Sequence, residues 1–148
     1  MKHIWTVACS RAVIDSETNN VSLQSVVEEL TIHAPPQPDG ILPIDVDVVS
    51  TWIRDALDTP EAGEIRVSFR SPKGKSLRKS EGQIDLNKAP RFRVKARFSG
   101  LPLAESGVYS FRVDAREGGV GHWRKYAEIP LIVVFSPEGK KKRAPRRN

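Results

Sequence analysis

The sequence predicts an all-β fold in which two antiparallel sheets pack as a β-sandwich of the immunoglobulin-like or Greek-key type. Apolar and polar residues alternate with a period of two along most of the chain, a pattern typical of strands with one buried face. Clusters of Gly, Pro, Asn and Asp separate these runs, as turns and loops require. About seven to nine short strands spaced in this way favour a sandwich, with a barrel as the second choice.

The first half of the chain begins with a hairpin. The run from His3 to Ile14 ends in the turn-forming cluster SETNN, and a second β-rich run covers residues 21–32. The alternation shifts at Val26 and Val27, which indicates a bulge or a bend. Three prolines make residues 34–40 a loop.

Residues 46–55 form the next predicted strand, but their end is ambiguous. A short helix over residues 50–59 is the alternative, because it would place Trp52, Ile53 and Ala56 on one face. Ser50 would then cap the first helical turn. Short apolar runs do not distinguish a strand from a helix, so both interpretations stand at this point.

The sequence pattern of the second half of the chain predicts further strands, and one of them is polar enough to lie at a sheet edge. That polar strand covers residues 76–86. Pro130 marks a bend or an edge position in the last strand, because proline cannot donate to a ladder. The other strands cover residues 65–70, 91–98, 108–113 and 122–135.

The charge of the chain is concentrated at its C-terminus. The formal net charge is +6, and residues 137–148 contain six Lys or Arg against one Glu. We therefore predict one β-sandwich domain over residues 1–136 and a disordered basic tail over residues 137–148, since a run of like charges with nearby prolines does not fold.

The composition favours a cytoplasmic protein. Cys9 is the only cysteine, so an intrachain disulfide is impossible. No apolar run approaches the roughly 18 residues that a membrane span requires. The apolar run from Ile4 to Ala8 is too short for the core of a secretion signal.

Residues 91–98, RFRVKARF, carry the strongest candidate site. On a strand the four cations would form a ridge of about 20 Å, long enough to contact several phosphates. The structural alternative is that they form the solvated face of an ordinary strand, and it is favoured because Phe92 and Phe98 lie on the opposite face, where they cannot stack on bases. The candidate polyanion-binding residues are Arg91, Arg93, Lys95, Arg97, Lys140, Lys141, Lys142 and Arg143.

Motifs for catalysis or cofactor binding are missing from the sequence. It contains no G-x-S-x-G, no P-loop and no G-x-G-x-x-G after a strand. The three histidines are scattered, so we predict no metal site, no cofactor, no identifiable small-molecule ligand and no enzyme activity. Cys9 is expected to be a small core residue. The three tryptophans leave a sugar-binding platform as an alternative.

Three segments of the chain share features with known proteins. Residues 9–30 contain a turn that is followed by a Ser-Leu strand. Residues 101–113 contain a Leu-Pro turn before a Gly-x-Tyr-x-Phe strand. Residues 128–134 contain an Ile-Pro-Leu run. With these features the chain resembles an uncharacterised bacterial family of single-domain β-sandwich proteins. The resemblance implies the fold and carries no site residues. The matching residues are Asp15, Thr18, Asn19, Ser22, Leu23, Leu101, Pro102, Gly107, Tyr109, Phe111, Ile129, Pro130 and Leu131.

These observations predict a non-enzymatic binding or interaction module. Free strand edges favour self-association or strand addition to another protein as its mode of binding. The alternative is an accessory nucleic-acid-binding protein that uses residues 91–97 and the basic tail.

Overall fold

The structure, a computed structural model, describes residues 1–137, and this part of the chain is all-β. Nine strands run through it and form two sheets. The strands are β1 (Lys2–Ile14), β2 (Val21–Val26), β3 (Glu29–Ile32), β4 (Ile41–Ile53), β5 (Glu61–Arg70), β6 (Ser76–Leu86), β7 (Arg91–Pro102), β8 (Gly107–Glu117) and β9 (Arg124–Phe135). The predicted cations Lys140, Lys141, Lys142 and Arg143 lie outside the described residues.

The two sheets differ in their pairing. The first sheet has the order β2-β1-β4-β7 and is antiparallel throughout, and the second has the order β3-β9-β8-β5-β6. In the second sheet β3 pairs with β9 in parallel, so the prediction of purely antiparallel sheets was wrong at this position. The chain passes from one sheet to the other between Val26 and Glu29, just after Ser25 takes a φ of 52°. The bend predicted at Val26 and Val27 is this crossing.

The helix considered for residues 50–59 was also wrong. Strand β4 continues to Ile53, and a loop without helical structure follows as far as Thr59. Strand β4 pairs with β1 on one side and with β7 on the other, and both pairings continue as far as Ile53. Trp52 is completely buried in the core. These contacts with distant segments outweigh the weak local preference for a helix.

The main core lies between the two sheets, where aromatic rings connect them. Phe98 of the first sheet contacts Phe111 of the second, with ring centroids 5.5 Å apart. Phe111 also packs on Phe69 at 5.0 Å. Near the start of β8, the hydroxyl of Tyr109 donates a hydrogen bond to the backbone carbonyl of Glu105, at 2.9 Å. This bond fixes the loop that leads from β7 into β8.

A second, smaller cluster lies on the outer face of the first sheet. The pairing of β1 with β4 ends at Cys9, and the rest of β1 pairs with β2 as a hairpin. Cys9, Ala12 and Val49 are buried together, with Trp5 and two hairpin side chains packed against them. The β1–β2 hairpin therefore covers the middle of β4. The burial predicted for Cys9 is confirmed, although its neighbours belong to this cluster and not to the main core.

Candidate functional site

Arg91, Arg93, Lys95 and Arg97 form the predicted ridge of cations, called the basic row below. It lies on β7, and its side chains are directed away from the core. Arg91, Lys95 and Arg97 are exposed, whereas Ala96 and Phe98 are buried on the opposite face. Strand β7 ends the first sheet and pairs with β4 alone. Lys and Arg at such a position also hinder edge-to-edge aggregation, so the row has a structural use whatever it binds.

Two of the four cations are held by contacts within the chain. The Nε of Arg97 donates to Oδ1 of Asp47 at 3.1 Å, and the other oxygen of that fully buried carboxylate accepts the backbone N–H of Ala12 at 2.9 Å. Arg93 donates through Nη2 to the carbonyl of Asn19 in the hairpin turn, at 3.1 Å. Burial, and then repulsion from Arg91, lowers the pKa of Arg93. Within residues 1–137, Arg91 and Lys95 are thus the members of the row without a partner.

Two further cations lie near the ends of strand β7, and sequence reasoning missed them. Lys88 is exposed in the loop just before β7. Arg78 of β6 donates to the carbonyl of Ser99 near the other end of the row, at 3.2 Å. Lys88 is close in sequence and could have been included. The placement of Arg78 depends on how the edges of the two sheets meet, which no local pattern reveals.

A compact apolar patch lies on the outer face of the second sheet. It consists of Val108, Ile132 and Val134, whose exposed fractions are 56%, 45% and 39%. Val108 and Ile132 are direct cross-strand partners. The rest of this face carries ion pairs, among them Arg116–Glu64 at 2.7 Å. The apolar patch therefore contrasts with the charged surface around it.

A groove of about 300 Å³ adjoins the apolar patch and is lined by residues of both β1 and β9. Among its lining residues Glu28 is the one that carries a charge, and its carboxylate has no partner in the described part of the chain. Ile132 contributes to both the groove and the patch. The other lining residues are Thr6, Val7, Ala8, Val26, Val27, Ile129 and Pro130.

Three acidic residues gather around the amino group of Met1. This ammonium group donates to Asp55, to Glu61 at 2.9 Å and to Glu117 at 3.3 Å. Burial alone would lower the pKa of the amine, but the three hydrogen bonds outweigh it and raise the pKa to about 10. The carboxylate oxygens lie within 4.8 Å of one another, a spacing that a cation could use, and the ammonium group already contacts all three and offsets one of their three negative charges.

The three tryptophans lie in three different environments. Trp52 is completely buried, and Trp5 packs against the small cluster under the hairpin. The ring of Trp123 stacks on the guanidinium groups of Arg66 and Arg116, at 4.3 and 4.8 Å from the ring centroid. They therefore do not form the shared flat surface that a sugar-binding platform would need.

Comparison with known proteins gives no assignment: no family model matches the chain, and no curated protein matches it. The family resemblance inferred from the sequence thus stays a prediction. Within residues 1–137 there is no helix long and apolar enough to cross a membrane.

Proposed function

We propose that this chain is an immunoglobulin-like interaction module that binds another protein and does not act as an enzyme. Two features support the immunoglobulin-like type of sandwich. The hydrogen bond from Tyr109 back to Glu105, at the corner before β8, has the form of a tyrosine corner. Greek-key connections are the second feature, because strands that follow one another in sequence alternate between the two sheets, as β3, β4 and β5 do.

The apolar patch is the observation that carries the proposed function. Val108, Ile132 and Val134 expose aliphatic surface on a face that elsewhere carries ion pairs. Contiguous apolar surface with a polar rim is typical of sites where proteins associate. Covering this patch with a partner would remove it from water, which favours association by about 25 cal/mol for each Å² buried.

Photo-crosslinking tests this function directly. A photoreactive amino acid at position 108 is expected to form one discrete adduct with another protein in cells. Ile132→Lys is expected to reduce that adduct about tenfold or more, because a charge at the centre of an apolar contact costs well over 1.4 kcal/mol.

The matched control places the same photoreactive residue at Lys79, an exposed position on β6 of the same sheet. Equal adducts from positions 79 and 108, or an adduct that persists in Ile132→Lys, would contradict the proposed site. An adduct with twice the mass of the chain would show self-association in place of another partner.

Nucleic-acid binding is the second candidate, and the exposed, unpartnered cations of Arg91 and Lys95 favour it. The double variant Arg91→Glu, Lys95→Glu is expected to weaken DNA binding and to reduce the slope of log K against log salt by about 2, one for each lost phosphate contact. Fluorescence anisotropy with a labelled oligonucleotide measures both effects. The control, Lys79→Glu with Lys125→Glu, changes the charge equally on the second sheet. If both double variants weaken binding equally, the row on β7 is not the site.

A further inference from the structure

We propose that the β1–β2 hairpin, residues 10–26, is a strap that opens while the two sheets stay folded, and that Arg93 of the basic row is the latch that keeps it closed. This inference goes beyond the proposed function, because it concerns the other sheet and needs no partner protein. Opening uncovers the small apolar cluster of Cys9 and Val49 and returns Arg93 to the free cations of the basic row.

The hairpin extends beyond the ladder of the first sheet. The pairing of β1 with β4 ends at Cys9, and within the described residues the rest of β1 pairs with β2 alone. β2 is the outermost strand of this sheet. Because a two-stranded hairpin is at best marginally stable by itself, its contacts with the outer face of the sheet decide whether it stays in place.

The hairpin buries little of its own surface. Among residues 10–26, Ala12 is buried, Val21 and Leu23 are half-buried, and the others are exposed. Only a small apolar area therefore leaves water when the hairpin closes over the sheet. A segment with few buried contacts opens locally at a lower free energy than the whole domain unfolds.

Two polar contacts add to this small apolar area, and Arg93 makes the one at the tip. Its Nη2 donates to the carbonyl of Asn19 in the hairpin turn, at 3.1 Å. The other contact, from the N–H of Ala12 to Asp47 at 2.9 Å, lies only three residues beyond Cys9, where the hairpin leaves the ladder. A swinging hairpin moves most at its tip, so Arg93 restrains the motion more than Asp47 does.

The closed position is poised, because it leaves polar atoms unpaired. The Nε of Arg93 and the Oγ1 of Thr51 are buried and have no hydrogen-bond partner in the described part of the chain. These two residues are direct partners in the pairing of β4 with β7. Burial, and then repulsion from Arg91, lowers the pKa of Arg93, so the closed site disfavours the charge of its own latch. An opening that admits water to these groups offsets part of the contacts that it breaks.

Cys9 reports on the opening without any substitution. It is the only cysteine of the chain, and it is completely buried in the cluster that the hairpin covers. Burial, and then the nearby carboxylate of Asp47, raises the pKa of its thiol, which slows its reaction in the closed form. Labelling of the full chain with iodoacetamide is followed by mass spectrometry as urea is raised toward the unfolding transition. The rate is expected to be almost independent of urea at first, because a local opening exposes little surface. A rate that rises from the start with the full slope of global unfolding would overturn the strap.

A matched pair of variants tests the latch. Arg93→Met and Arg91→Met each remove one cation of the basic row and keep most of the aliphatic stem, but only Arg93 contacts the hairpin. Without urea, Arg93→Met is expected to label at Cys9 at least about fivefold faster than Arg91→Met, the effect of losing one hydrogen bond from a charged donor. Equal labelling rates would overturn the latch.

Hydrogen exchange in the unsubstituted chain supplies a readout that does not depend on how well either variant folds. The amide of Ala12 donates to Asp47 only while the hairpin is closed, whereas Val48 lies in the centre of the sheet between β1 and β7. We expect the amide of Ala12 to exchange at least about tenfold faster than that of Val48. Equal exchange at the two amides would mean that the hairpin opens only with the whole domain, and would contradict the strap.

Discussion

Replacing Phe111 with alanine is expected to lower the free energy of unfolding by about 3–5 kcal/mol, the usual cost of removing a buried phenylalanine. Phe111 is completely buried, and its ring contacts Phe69 of the same sheet and Phe98 of the opposite sheet. Because rings from both sheets line the site, we expect the surrounding structure to collapse only partly into the cavity. Urea unfolding monitored by tryptophan fluorescence measures the loss.

Val108→Ala is the matched control, because Val108 lies on the same strand and is exposed. Its expected cost is below about 0.5 kcal/mol, as for most surface substitutions. If the two variants were equally stable, the main core would not lie where the rings of Phe98 and Phe111 meet.

The inward direction of Phe111 and Phe98 could be predicted, because strand alternation is a local property of the sequence. Successive side chains of a strand point to opposite faces, so the apolar residues of a run identify its buried face without knowledge of its neighbours. The same rule placed the cations of β7 outside, and the structure agrees. A bend or an edge position at Pro130 could likewise be predicted from one residue, because proline has no N–H to donate, and the structure places Pro130 just outside the pairing of β9 with β3.

Other features depend on contacts between segments that are far apart in the chain. Asp47 and Arg97 are separated by 50 positions, and the hairpin turn that reaches Arg93 lies 74 positions before it. Alternation assigns these side chains to a face but does not reveal which distant group meets them there. For this reason the sequence predicted a row of four cations and could not show that two of them are engaged.

The groove was beyond prediction for the same reason. Its two walls, β1 and β9, come from opposite ends of the described chain. The groove is open because β2 pairs with β1 only from Cys9 onward, and β3 pairs with β9 only from Ile132 onward. Local sequence patterns do not reveal where such pairing begins or ends. Sequence reasoning named free strand edges only in general terms, and the register shows where they are: β2 leaves Thr6 of β1 unpaired, and β3 leaves Pro130 of β9 unpaired on that side.

Replacing Arg54 with methionine is expected to lower the free energy of unfolding by about 2–4 kcal/mol, because it removes three hydrogen bonds and leaves the buried carbonyl of Leu86 without this donor. Arg54 is buried, and its guanidinium group donates to the backbone carbonyls of Leu86 at 2.7 Å, Leu57 at 2.7 Å and Asn87 at 2.9 Å. These three hydrogen bonds hold the loop after β4 against the end of β6. They connect residues 54 and 57 of this loop to Leu86 and Asn87, contacts with a distant segment that the local sequence does not reveal.

Methionine preserves much of the aliphatic volume, so the loss measures the hydrogen bonds and not a cavity. Arg78→Met is the control, because Arg78 makes one exposed hydrogen bond, to the carbonyl of Ser99, and its loss is expected to cost less than about 0.5 kcal/mol. Urea unfolding compares the two variants, and hydrogen exchange at the amide of Thr59, which donates to Ala56, reports on the loop itself. We expect that amide to exchange faster in Arg54→Met alone. Equal stability of the two variants would mean that the loop is held by the pairing of its flanking strands, β4 and β5, and not by the guanidinium group.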